Sequence, residues 1–443
     1  MNTRRLGPTA ALAGALAATS AVRAQTSHPH AAPATDPIDR MQGPLGISWM
    51  REGSGTAWQP DATPMFGHMQ RAGGWAFMEH YNVFAGVDAA AGPRGATEAF
   101  STNWLMVMAR RGLAGGQLSA RVMLSLEPLT LGGNGYPLLL QTGETWRGEA
   151  LHDRQHPHDL FMEVALAYQR EIAGGVAFSV YAAPSGEPAL GPVAFPHRLS
   201  AYYDPLGPIS HHWLDSTHIT FGVVTAGLYT RHVKVEGSWF NGREPDENRW
   251  DFDLRVPDSW SVRVTANPAP WLSAQASYGH LASPEALHPD VAQHRVTASA
   301  TAVARFGASH FAATAAWGLD LADGHAPSHA ALVEASLNLL GHYIVYGRAE
   351  WVAKSVDDLA LGAAQGDRLY DTGSVALGTA YAFGPAFGFV PAVGVRGSLA
   401  IVGDALRGAY GDPVQLAGAA YVQLRPVEMR MGAGMPGMVP PAP

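Results

Sequence analysis

Along residues 294–321 the chain alternates between apolar and polar positions. Val296, Ala298, Ala300, Ala302 and Ala304 fall on one face, and Arg295, Thr297, Ser299, Thr301 and Arg305 on the other. Beyond Phe306-Gly307-Ala308-Ser309, the residues Phe311, Ala313, Ala315, Trp317 and Leu319 oppose His310, Thr314 and Asp320. A period of two puts successive side chains on opposite sides of a sheet, so the stretch predicts an antiparallel hairpin. Each arm has the length of a tilted strand that crosses a bilayer, beyond the ~5–6 residues common in soluble sandwiches.

The same pattern predicts sixteen strands: 74–88, 97–111, 116–127, 158–171, 175–184, 216–227, 230–240, 258–267, 271–282, 294–305, 309–321, 329–340, 342–354, 370–383, 387–402 and 414–425. Short turns alternate with long connections throughout. That asymmetry is expected of a closed antiparallel transmembrane β-barrel, with short periplasmic turns and long outer loops. The polar faces then line the lumen. Arg121, Lys234, Glu236, Arg263, Arg295, Arg348 and Glu350 are the candidate pore-lining charges, serving either as braces of the wall or as rows that shape its field. Trp75, Trp239, Trp260, Trp271, Trp317, Trp351, Tyr278 and Tyr343 fall near strand ends, where rings with a polar tip suit a headgroup region.

The flanks read differently. Arg4 and Arg5 before the small apolar run 6–18, with Val22-Arg23-Ala24 ahead of Gln25, predict a cleaved export signal over 1–24. Residues 25–72 are rich in Gly and Pro, with Trp49, Trp58 and Phe66, and read as a flexible segment that plugs the lumen, lies at the periplasmic mouth or adds a strand. Residues 73–425 form the barrel. The tail 426–443 carries Met429, Met431, Met435 and Met438, whose thioethers are either incidental or soft metal ligands.

Composition narrows the partners. The 443 residues contain no cysteine, which excludes disulfides and thiolate metal sites, and the net charge of −8 argues against nucleic acid. The expected partners are the lipid bilayer, a small solute or metal ion, and a second copy of the chain.

Candidate chemistry sits in two long connections. His152, His156, His158 and Asp159 lie in HDRQHPHD, and His211, His212 and His218 in HHWLDSTH. His156 and His158 share a face of an extended chain, so they can chelate one ion; copper or zinc suits imidazole and carboxylate ligands. Two other readings stand beside this one. The same groups can hydrogen-bond the loops into a constriction, or His212, Asp215 and Ser216 can form a hydrolase set, although no nucleophile elbow accompanies them. The acidic stretch within 237–253 lacks the regular spacing of a calcium loop.

The export signal, the alternation and the loop asymmetry over about 73–425 resemble the porin-like β-barrels of Gram-negative outer membranes. The two histidine segments are similar to those of uncharacterised proteobacterial barrel proteins, some associated with copper-handling gene neighbourhoods. The resemblance implies an outer-membrane channel for small polar solutes or metal ions. The alternative is a copper-binding barrel without an open pore, and an outer-membrane hydrolase is a third.

Overall fold

A computed structural model of the chain describes residues 41–362 and 368–429. The expected export signal, residues 25–40 and Met431, Met435 and Met438 lie outside the described residues.

Twenty strands follow in order. They are β1 (His68–Ala72), β2 (Trp75–Ala90), β3 (Thr97–Phe100), β4 (Asn103–Leu113), β5 (Gly116–Leu124), β6 (Tyr136–Trp146), β7 (Glu149–Gln155), β8 (Phe161–Ala173), β9 (Val176–Gly186) and β10 (Thr220–Tyr229). Then come β11 (Val233–Asn241), β12 (Ser259–Ala269), β13 (Leu272–Leu281), β14 (Gln293–Phe306), β15 (Ser309–Ala322), β16 (Ser328–Leu339), β17 (Tyr343–Lys354), β18 (Tyr370–Ala382), β19 (Phe389–Ile401) and β20 (Val414–Pro426).

Eighteen of them form one antiparallel sheet, and β6 and β7 form a separate hairpin. The sheet closes because β2 pairs with β20, from Val83 opposite Leu424 to Ala90 opposite Ala417. Two members are short. β1 pairs along the first half of β2, on the same flank as β20, and β3 pairs with the far half of β2, on the same flank as β4. The ring is thus sixteen strands around, and every predicted strand has its counterpart. Closure leaves no open backbone edge, which hydrocarbon would not tolerate. The differences from expectation are local. Residues 128–157 contain the β6–β7 hairpin, and a proline-free break at 101–102 divides β3 from β4, while the strand at 68–72 is one of the readings offered for the segment before the barrel.

Sidedness follows the alternation. In β11, Val233, Val235 and Trp239 are exposed, whereas Lys234, Glu236 and Ser238 are buried. Val264, Val333, Leu377, Leu416 and Val422 continue this apolar exterior around the ring, and Trp260, Trp271, Trp351 and Tyr343 join it near strand ends. Such a belt is too large for a water-facing surface and suits lipid. No helix among the described residues is long and apolar enough to cross a membrane.

A sixteen-stranded wall normally encloses an aqueous channel. Here two insertions fill it. Residues 41–66 enter from the short-turn end. Arg110 pairs with Glu52, Arg121 donates to the Gly55 carbonyl at 2.7 Å, Arg263 donates to Thr56 Oγ1 at 3.0 Å, and Asn267 donates to the Gln59 carbonyl at 2.8 Å. The β9–β10 connection, residues 187–219, folds inward from the opposite end. It bonds Ser238 and Ser277 on one wall and Thr314, Asn338 and Glu350 on the other. The insertions meet where the Ala194 amide donates to Ser54 Oγ at 2.8 Å. Gly53 and Gly55 permit this contact, since a Cβ at either would stand 2.7 Å from Val193 or Glu187. Two cavities beside the insertions measure about 70 and 30 Å³, the scale of a few water molecules.

All seven candidate pore-lining charges are buried on the inner face. Arg121 pairs with Glu163 at 3.0 Å, Lys234 and Arg263 share Glu236 at 3.1 Å each, and Arg295 pairs with Asp320 at 2.8 Å. Arg348 binds Glu334 at 3.1 Å and Asp204 of the inserted loop at 3.4 Å, while Glu350 accepts from Ser210 at 2.7 Å. Charges buried this deeply persist only when paired. They brace neighbouring wall strands to one another and, through Arg348 and Glu350, the wall to the inserted loop.

Candidate metal centre

Two connections bring five histidines together at the long-loop end of the lumen. His156 and His158 precede β8. Pro157 between them keeps the chain extended, so both rings turn to the same side. His211 and His212 lie on a single helical turn, His211–Leu214, and His218 closes the next turn, Ser216–His218. Ring centroids are 5.8 Å apart for His156 and His211, 5.6 Å for His156 and His212, 5.2 Å for His158 and His218, and 5.0 Å for His211 and His218. One ring nitrogen from each of His156, His211 and His212 lies within 4.8 Å of the others.

The hydrogen bonds divide these rings into two halves. Every Nδ1 has an oxygen partner: the Pro157 carbonyl for His156 at 3.4 Å, with a Glu144 oxygen 3.1 Å away, Glu127 for His158 at 2.9 Å, Asp215 for His211 at 2.7 Å, Glu244 for His212 at 2.9 Å, and the Asp215 carbonyl for His218 at 2.7 Å. Every Nε2 is buried and has no partner. A ring whose Nδ1–H is held by a carboxylate or carbonyl presents an Nε2 lone pair, which is the tautomer a metal ligand needs. Five buried Nε2 atoms without a protein partner gather in this one cluster, an arrangement that a metal ion or ordered water satisfies.

The surroundings keep most of the rings neutral. Burial, reinforced by the Arg249 guanidinium, holds His156 well below the ordinary imidazole value, and burial does the same for His218. Burial lowers His211 to about 4 against the pull of Asp215. Burial also works downward on His158, but Glu127 carries that ring above its ordinary value, so an ion binding there displaces a proton. Burial works upward on Asp215, yet Arg198 and His211 hold it well below the usual carboxylate range. Burial pushes Glu144 up to about 8 despite Arg249.

Gly143 makes room for the cluster. Its φ is +110°, and a Cβ there would come within 2.0 Å of the His212 ring. Aromatic packing completes the wall, with the Phe195 ring 5.8, 5.3 and 5.7 Å from His158, His211 and His218.

Of the seven candidate metal residues, His156, His158, His211, His212 and His218 are brought together. His152 and Asp159 are not. His152 sits in β7, with Nδ1 facing the Asp358 carbonyl at 3.2 Å, and Asp159 is turned to Arg249 at 3.4 Å. In an extended chain His152 is four residues from His156, and the positive φ of Asp153 turns the strand between them. The hydrolase set is not assembled. His212 is committed to Glu244, Asp215 to His211 and Arg198, and Ser216 Oγ accepts from Arg295 at 2.7 Å. Asp246, Asp251 and Asp253 also cluster, but in a largely exposed loop with no histidine. Glu127, Glu144 and Glu244 escaped the sequence reading, since nothing in their local sequence ties them to histidines so distant along the chain.

No protein-family description and no characterised protein sequence matches the chain. Solved structures do match. Pseudomonas putida OprB superposes with a TM-score of 0.50 at 10% identity, covering 80% of this chain and 94% of its own. OmpT, an outer-membrane protein of Vibrio cholerae, gives 0.48 at 9% identity over 81% and 99%. An anion-selective porin from Comamonas acidovorans gives 0.46 at 11% over 79% and 99%. The similarity is one of fold: a closed, sixteen-stranded antiparallel barrel. At such identity it carries no residue roles.

Proposed function

We propose that this protein is an outer-membrane β-barrel that binds a borderline transition-metal ion, zinc or copper, inside a lumen closed by its own chain. The observation that carries this reading is the set of five buried, partnerless Nε2 atoms, each on a ring fixed by an oxygen at Nδ1. Nitrogen donors of this kind suit zinc and copper, whereas magnesium and calcium prefer oxygen. The outward apolar belt and the loop asymmetry support the membrane and its outer location. The protein supplies neutral imidazoles, orients them through carboxylates and excludes bulk water with the two insertions. Zinc and Cu(II) titration of the detergent-purified full chain tests this, with His156→Ala/His211→Ala/His212→Ala beside it. Tight binding by the native protein and its loss in the triple variant is the expected result. Equal uptake by both proteins removes the site.

A channel for small polar solutes is the second reading. The sixteen-stranded wall and the porin-like fold shared with OprB favour it. Passage then requires residues 41–66 and 187–219 to move. Planar-bilayer conductance separates the two readings, because a steady open-pore current from the intact protein belongs only to the second.

A further inference from the structure

The lumen holds a second group of potential ligands, softer than the first and one step further in. His80 on β2, Met106 on β4 and Met123 on β5 are successive cross-strand partners, so three adjacent strands present them in one row. His80 Nε2 lies 3.0 Å from Met106 Sδ, and His197 of the inserted loop places Nε2 3.3 Å from Met123 Sδ. The two imidazoles are 5.9 Å apart, and Trp104 lies against both at 5.0 and 4.8 Å. Met50, Met65, Met78 and Met108 line the same cavity of about 70 Å³. Six of the chain's 14 methionines therefore gather at one place.

Methionine is a common gap filler, and an N–H···S bond is a sufficient account of one such pair. It does not account for two histidines converging with their Nε2 atoms on thioethers. Elsewhere in this lumen imidazoles face oxygen, as the five of the outer cluster do, and as His310 does with the Tyr203 hydroxyl at 3.0 Å. The donors here are two thioethers and two imidazoles, all uncharged when the rings are neutral. Arg110 and Arg121 stand at the cavity edge, paired with Glu52 and Glu163. A neutral, sulfur-containing set beside guanidinium groups disfavours a hard dication and favours a soft monovalent one.

We infer that His80, Met106, Met123 and His197 form a second metal site, selective for a soft monovalent d10 cation of the cuprous class. Its residues are independent of the five-histidine centre, although His197 follows Phe195 by two positions on the same loop. Met123 pairs with Glu163 on β8, beyond His158 in the direction of the short turns, so the site lies below that centre.

Silver(I) is the probe, being soft, monovalent and stable to air. The full-length protein is titrated in detergent beside Met106→Leu/Met123→Leu and the triple alanine variant of the outer cluster. Leucine is close to methionine in volume, and the barrel's resistance to detergent unfolding on a gel checks assembly. The double leucine variant should bind one silver ion fewer per chain, lose the mixed sulfur and nitrogen shell from the silver X-ray absorption spectrum, and no longer quench Trp104. The triple alanine variant should keep the mixed sulfur and nitrogen shell and the Trp104 quenching, even if zinc and copper prove not to bind the native protein. Unchanged stoichiometry and quenching in the leucine variant overturns the assignment. Should that variant fail to assemble, His80→Gln/His197→Gln gives the same decision from the nitrogen side.

Discussion

Asp215 accepts from His211 Nδ1 at 2.7 Å through one carboxylate oxygen, and its other oxygen is clamped by Arg198 at 2.6 Å. Arg198 in turn reaches Glu334 on the barrel wall at 2.7 Å. The orientation of a candidate ligand is therefore fixed from β16 through two intervening side chains. Asp215→Asn keeps the shape but changes the acceptor and the ring's basicity. It should weaken zinc binding by roughly 10–100-fold, the usual range for such partners. Calorimetric titration of detergent-purified variant and native protein gives the ratio.

Gly143→Ala tests the space around His212. The added methyl group collides with the ring, and a φ of +110° already strains any residue with a Cβ. Metal affinity should fall by roughly tenfold or more while the barrel still forms. Heat-modifiable gel mobility reports the barrel, and zinc titration reports the site.

Glu334 is a hub. It binds Arg198 of the inserted loop and Arg348 of β17, and it also accepts from Ser200 at 2.9 Å. Glu334→Gln leaves two buried guanidiniums short of a counter-charge, a loss that costs about 3–5 kcal/mol in comparable buried pairs. The strands that carry Glu334 and Arg348 keep their backbone ladders, whereas the loop is held here by side-chain contacts. The first effect should therefore be its release, seen as faster hydrogen exchange across 187–219 and as new conductance events in planar bilayers.

Leu377 lies near the middle of β18 and points outward, with two-thirds of its surface exposed (66%). Leu377→Arg places a charge in the apolar belt and should destabilise the protein in lipid by about 2–4 kcal/mol. Urea unfolding in vesicles measures it. An unchanged midpoint would mean that this face does not meet hydrocarbon.

The barrel was legible because its signal repeats. Alternation is local, and a register error in any strand would turn Arg263 or Arg348 toward lipid, so the pattern fixes which face is which. Inward orientation of Arg121, Lys234 and Glu236 follows from that alone. The hairpin at 136–155 was not legible, because Leu138, Leu139 and Leu140 are all buried between the hairpin and the loops it covers, and the alternation disappears. At the candidate centre the histidines stood out by density. Their anchors did not: Glu144 and Glu244 reach His156 and His212 only after three long connections have folded over one another. The thioether row was half visible. Period two turns Met106 and Met123 inward, but only the cross-strand register sets them side by side with His80.

The two insertions are tethered differently, and this dictates how the bore can ever be cleared. Residues 187–219 are joined to the wall at both ends on the long-loop rim, so they can retreat only past that rim. Residues 41–66 continue into β1 at the opposite rim and can be drawn out only past the short turns. A through-passage would therefore need both withdrawn together, in opposite directions.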